Sequence, residues 1–266
     1  RLESLNKHSL GNGIMTTIDI NSDLGESVAG IALSDDDAIL DVVSSANVAC
    51  GYHAGTPHGI AATVKSAASR NVTVGAHPSY NDPAGFGRRY IDYDPHQLAD
   101  EVLYQIGALD AIARSHGTHV RYVKPHGALY NEIVHNTAHA QAVVDAVRAF
   151  STNIPLLLLP GSVAGAIAQK AGVDVITEAF ADRAYNPDGT LVSRKEAGAV
   201  VTDLDHVCAR VIDMATKGTV TARDGSTIRI DAQSICVHGD SPGAVEMSRA
   251  IRRALQDAGV TVESFV

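Results

Sequence analysis

The chain has little with which to hold a polyanion. Lysine and arginine together number 21 against 30 acidic residues, for a formal net charge of −9 over 266 residues. General nucleic-acid or anionic-membrane binding needs a basic face, so no contact with nucleic acid or membrane is expected. Long apolar runs are missing too. The longest, "IPLLLLP" (154–160), is far too short to cross a bilayer. Three cysteines, Cys50, Cys208 and Cys236, are too few and too scattered for a disulfide framework or a zinc knuckle, which points to a reducing cytoplasm. There is no G-x-x-x-x-G-K-[ST] phosphate loop, since "PGSVAG" (160–165) lacks the lysine, and no G-x-S-x-G elbow. Nucleotide chemistry and serine hydrolysis therefore lack a local signature. No linker, repeat or low-complexity tract divides the chain. Residues 1–14 precede Met15 without the apolar stretch of a signal peptide and read as a leader, leaving 15–266 as one domain.

What is present is alternation. Short strand-like runs recur at 17–21, 45–50, 72–76, 119–124, 154–159, 173–178 and 234–238, with helical segments between them. Ser34 followed by "DDDAILDVVSSA" fits a capping box, and Asp94-Pro95 opens a helix that runs through Arg114. Ser162 opens another, Gly218 closes "DLDHVCARVIDMATKG", and Ser241-Pro242 starts the last. "VTARDGSTIRI" (220–230) reads as a hairpin around Asp-Gly. Seven strand–helix units with mostly apolar strands predict an α/β fold with a parallel sheet covered on both faces. An irregular closed (β/α) barrel is the first expectation and an open doubly wound sheet the second.

The polar residues fall where such strands end. Asn21, Asp23 and Glu26 follow the first run, His53 the second, and His77, Arg88 and Arg89 the third. "VKPHG" puts Lys124 and His126 after the fourth. Glu178, Asp182, Arg183 and Tyr185 follow the sixth, and His238 and Asp240 the seventh. In parallel α/β folds these ends converge on one rim, where ligands bind. A single histidine at a strand end is usually structural, but four at four such ends suit proton transfer or metal ligation. The remaining histidines, such as His96 and His139, read as surface. Asp23, His53 and His77 are candidate ligands for one divalent ion, although the spacing is not the Asp-Asp with His-x3-His of barrel deacetylases. The long charged segments 79–95 and 181–198 are expected to cover the rim as lids.

"DINSDLGE", "SANVACGYHAG", "VGAHPSY.D..GFGRR", "VKPHGALYN", "EAFADRAYNPDGTLVSR" and "ICVHGDSPGAV" resemble, in order from about Ile18 to Ala258, the blocks of the LamB/YcsF family, the A subunit of the bacterial ATP-dependent 5-oxoprolinase. One departure is visible: the family's aromatic-glycine pair after "LGE" is replaced here by "SVAG", which bears on the shape of the first rim loop. The resemblance implies an irregular seven-stranded barrel like that of the glycoside hydrolase/deacetylase superfamily. It implies hydrolysis of a cyclic amide, 5-oxo-L-proline, to L-glutamate at the expense of ATP, with subunits B and C as partners. ATP, with its Mg2+, would then be handled largely by those partners. On this reading Lys124, His126, Glu178, His77 and Asp240 are the catalytic candidates. Asn21, Asp23, Glu26, His53, Arg183, Tyr185 and His238 are the substrate-binding candidates, with Lys124 and Arg183 holding the substrate carboxylate or a developing oxyanion. The competing readings are a metal-dependent deacetylase or amidohydrolase and a non-catalytic binding subunit.

Overall fold

The computed structural model describes residues 16–239 and 243–266. The leader, Met15, Asp240 and the Ser241-Pro242 helix start lie outside the described residues. Seven parallel strands form the barrel: β1 (Thr17–Leu24), β2 (Ser45–Ala49), β3 (Thr73–His77), β4 (Tyr122–Val123), β5 (Leu156–Leu158), β6 (Val175–Phe180) and β7 (Ser234–Cys236). They pair in chain order, and β7 closes onto β1 through Ser234↔Asp19 and Cys236↔Asn21. The closed barrel, rather than the open sheet, is therefore the architecture. Parallel neighbours need a crossover, and helices supply it. Pro57–Ser69, Pro95–Ser115, Thr137–Phe150, Val163–Lys170 and Leu204–Lys217 lie between successive strands, and Ala244–Asp257 follows β7. Leu98, Val102, Ile106 and Leu109 recur at helical spacing and are all buried. No helix among the described residues is long and apolar enough to cross a membrane.

Two local expectations change. The helix after Ser34 is only Asp36–Leu40, and Asp35, not Ser34, caps it by accepting from the Ala38 amide. It stops early because Val42 and Val43 turn inward, and the Ser44 amide bonds back to the Ile20 carbonyl of β1. His139 is buried, not superficial, with its Nδ1 2.6 Å from the Tyr80 hydroxyl. The Asp-Gly hairpin forms as Thr219–Thr221 against Thr227–Arg229.

Strand side chains alternate between faces, so one set of each strand points into the lumen. Asp19, Asn21 and Asp23 of β1 do so. Asn21 donates to Glu178 of β6 and Ser234 of β7, and Asp23 accepts from Asn47 of β2. Tyr122 of β4 reaches across to Asn47, at 2.6 Å. Gly75 of β3 makes room for that reach, since a Cβ there would lie 2.2 Å from the Tyr122 ring. At the N-terminal end, Thr261–Val262 pairs with Thr17 and Ile18, and Phe265 packs on Tyr122 with ring centroids 5.0 Å apart. That end of the lumen is plugged, so the C-terminal end is the open one.

Candidate active site

The open end is a cleft of about 670 Å³, continuous with solvent, lined by Asp23, Glu26, His77, Lys124, His126 and His238 among others. At its floor Lys124 is only 2% exposed, and burial alone would strip its proton. Its Nζ lies 2.7 Å from Glu178 Oε1 and 3.4 Å from Asp23 Oδ1, and those charges hold its pKa well above the usual lysine range. Burial likewise favours the neutral form of Asp23, but His77 and Lys124 outweigh it and hold Asp23 well below the carboxylate range. Nζ also lies 3.2 Å from Cys236 Sγ, whose thiol is kept protonated by burial.

Beside the lysine stands a wall of imidazoles. His53 and His126 stack with centroids 3.7 Å apart, and His77 meets both edge-on. His77 Nδ1 donates to the Lys124 carbonyl and His126 Nε2 to the Phe86 carbonyl. Glu26 Oε1 lies 2.8 Å from His53 Nε2. Burial, reinforced by the neighbouring imidazoles, pushes His53 and His126 well below the usual imidazole range. His77 moves the other way, because Asp23 outweighs the burial. The segment 79–95 covers this wall. Phe86, left-handed at φ 54°, turns its carbonyl to His126 and its ring edge to His53 and His126. Gly87 follows at φ 63°, where a Cβ would lie 2.8 Å from both His53 and His126, so only glycine passes.

Lys124, His126, His77, Asp23, Glu26, Arg183 and His238 of the predicted set line the cleft. Glu178 and Asn21 lie just beneath, in contact with Lys124. His53 backs the imidazole wall. Arg183 is largely spent on structure, since its guanidinium donates to the Val192 and Ala199 carbonyls of the segment 181–198. Tyr185 does not line the cleft. It is buried, accepts from the Phe180 amide and packs under Arg210. The predicted metal trio is not the set that converges: Glu26, His53, His77 and His126 present ligand atoms within 4.8 Å of one another, and Asp23 instead bridges His77 and Lys124. Both long segments border the cleft, Arg88 from the first and Leu191 and Arg194 from the second.

Sequence reasoning missed Asn47, which donates to both Asn21 and Asp23. The signal was polar residues at alternate positions, Ser45 and Asn47, inside "SANVAC". It also missed Arg194, exposed at the mouth with Nη2 2.9 Å from His238 Nε2, while His238 Nδ1 holds Asp182 at 2.7 Å. The Tyr130 hydroxyl lies against Glu178 at the cleft floor without hydrogen-bonding geometry.

Fold and cleft together define a parallel α/β barrel whose open mouth carries a buried cation, the ionised Asp23 and a group of imidazoles, a set suited to proton and charge handling on a small polar substrate. The chain belongs to the LamB/YcsF family, whose pattern matches residues 18–266. It is 61% identical over 250 residues to the 5-oxoprolinase A subunit of Corynebacterium jeikeium, covering 94% of this chain and 97% of that one. It superposes with a TM-score of 0.89 on the crystal structure of the lactam utilization protein from Thermus thermophilus, at 42% identity, covering 94% of this chain and all of that one. The catalytic domain of a peptidoglycan N-acetylglucosamine deacetylase from Eubacterium rectale shares the fold alone, with a TM-score of 0.50 and 11% identity over 98% of this chain and 93% of that one.

Proposed function

We propose that this chain is the A subunit of an ATP-dependent 5-oxoprolinase, opening the lactam of 5-oxo-L-proline to L-glutamate together with subunits B and C. The observation that carries the reading is Lys124, a buried ammonium held charged by Asp23 and Glu178 at the floor of the cleft. A lactam is a resonance-stabilised amide, and attack on its carbon places negative charge on its oxygen. A fixed, desolvated cation beside that oxygen stabilises the charge without reorganising at the moment of reaction. Asp23, ionised and with its side chain 19% exposed, and the imidazoles of His77 and His126 are the groups at the cleft that handle protons or cations. Arg88 and Arg194 at the mouth offer cationic partners for the substrate carboxylate. The sequence carries no phosphate loop, so ATP, with its Mg2+, is assigned largely to the partner subunits, and the complex to the cytoplasm.

Glutamate release from 5-oxo-L-proline and ATP tests the reading, with the purified chain alone and with subunits B and C added. Glutamate is expected only from the mixture. A silent mixture would overturn the assignment, and robust turnover by the single chain would overturn the division of labour.

A further inference from the structure

The imidazole wall is built from contacts that protons alone satisfy poorly. A carbonyl oxygen can only accept a hydrogen bond, so His77 Nδ1, 2.7 Å from the Lys124 carbonyl, and His126 Nε2, 2.9 Å from the Phe86 carbonyl, both carry hydrogen. In the neutral rings the other nitrogens are bare lone pairs, and these two, His77 Nε2 and His126 Nδ1, face each other at 3.0 Å. Beside them Glu26 Oε1, an acceptor when ionised, lies 3.6 Å from His126 Nδ1 and 2.8 Å from His53 Nε2. All four side chains are more than nine-tenths buried. Three electron-pair donors thus converge out of reach of bulk water, joined by His53 Nε2, which donates to Glu26 in one tautomer and offers a fourth lone pair in the other. One added proton, on His77 Nε2, answers His126 Nδ1 and Asp23 but leaves Glu26 and His53 facing each other.

We propose that Glu26, His53, His77 and His126 form a binding site for one divalent transition-metal ion of the zinc class, ligated through Oε1, Nε2, Nε2 and Nδ1 respectively. Three imidazole nitrogens and a carboxylate oxygen are a borderline N/O donor set that such ions prefer. Bonds of about 2.0–2.1 Å in a tetrahedron put donors roughly 3.3 Å apart. The contacting pairs here span 2.8–3.6 Å and the remaining pairs lie within 4.8 Å, so an ion is seated once the stacked His53 and His126 rings rotate to bring both lone pairs onto it. The outer contacts are those of ligating histidines: two distal nitrogens donate to carbonyls, and His53 Nδ1 meets the Ser79 hydroxyl at 3.1 Å. A second cluster, Asp23, Cys236 and His238, is less suited, because the Lys124 ammonium already contacts both the carboxylate and the sulfur. The inference stands on this geometry and not on the proposed reaction.

The probe is cobalt(II), added to full-length protein freed of metal by chelator and followed by calorimetry and visible absorption, with zinc(II) as competitor. One equivalent is expected, giving the intense d–d bands of a four-coordinate site and displaced by zinc. His77→Ala and Glu26→Gln are each expected to weaken binding by at least about a hundredfold. His238→Ala is expected to leave it unchanged. Circular dichroism and melting of each metal-free variant separate ligand loss from misfolding. If a single variant fails to fold, the conservative His77→Asp, which retains a ligand, is expected to restore both fold and weaker binding. Cobalt binding that is absent, unchanged in folded Glu26→Gln, or marked by a sulfur-to-cobalt charge-transfer band would overturn the proposal. These readouts do not depend on glutamate formation, so either idea can fail alone.

Discussion

Asp23 and Asp19 lie four residues apart on the same strand and face the same lumen, yet they are kept in opposite ways. At the mouth Asp23 has cations to answer it, and they hold it ionised. At the plugged end Asp19 has only hydroxyls. Ser44 and Ser45 donate at 2.6 Å and Ser234 also donates, yet burial outweighs them and pushes the carboxyl up to about 6. Dipoles solvate a buried charge less well than an opposite charge does. The comparison teaches where to look in a polar lumen: the end that spends cations on its carboxylates is the end prepared for chemistry.

Removing the mouth's cation is the severest way to break this contrast. Lys124→Met keeps the shape and strands Asp23 and Glu178, so denaturant titration is expected to show a loss of about 3–5 kcal/mol. Glutamate formation by the assembled enzyme is expected to vanish. Stability within about 1 kcal/mol of wild type would show that the mouth, like the plugged end, manages without a cation.

Asp19→Asn sharpens the other half. A carboxyl whose folded pKa is raised binds its proton more tightly when folded. Its contribution is therefore complete below the ordinary value of 3.8 and lost as pH rises through about 6. The shift of about two units corresponds to about 3 kcal/mol. Between about pH 4 and pH 7, wild type is expected to lose that much more stability than Asp19→Asn. Parallel pH profiles for the two proteins would mean that the serine hydroxyls neutralise the charge after all.

The smallest effect is expected at the plug. Phe265 is half-buried against Tyr122, so Phe265→Ala is expected to lower stability by about 1–2 kcal/mol, less than a fully buried phenylalanine. Steady-state kinetics of the assembled enzyme should stay unchanged, because no contact of Phe265 reaches the cleft. A fall in turnover beyond the fall in stability would join the two ends of the lumen into one unit.

Much of this was legible in one dimension. Strand ends rich in Gly, Pro and ionisable residues marked the mouth, because a parallel barrel gathers its C-terminal ends. The spacing of Asp19, Asn21 and Asp23 in "TIDINSDL" carries a polar lumen, but the strand-like pattern ends the first strand at 21, with Asn21 and Asp23 at or past its end, whereas the strand runs from Thr17 to Leu24 and holds both. What stayed hidden were pairings between distant segments. Tyr185 sits close to Arg183 in the chain, but its hydroxyl turns back to the Phe180 amide, so proximity in sequence placed it wrongly. His139 lies on a helix whose pattern cannot show that Tyr80 waits 59 residues away. Lys124 reads as a rim charge until Glu178 and Asp23 are seen to draw it under the surface.

The Phe86 carbonyl carries one more consequence. It belongs to a loop, yet it decides which nitrogen of His126 holds hydrogen. Loop position and ring tautomer are therefore a single variable. The covering segment thus acts as a selector as well as a shield, setting the chemical identity of the imidazole beneath it by where its backbone rests.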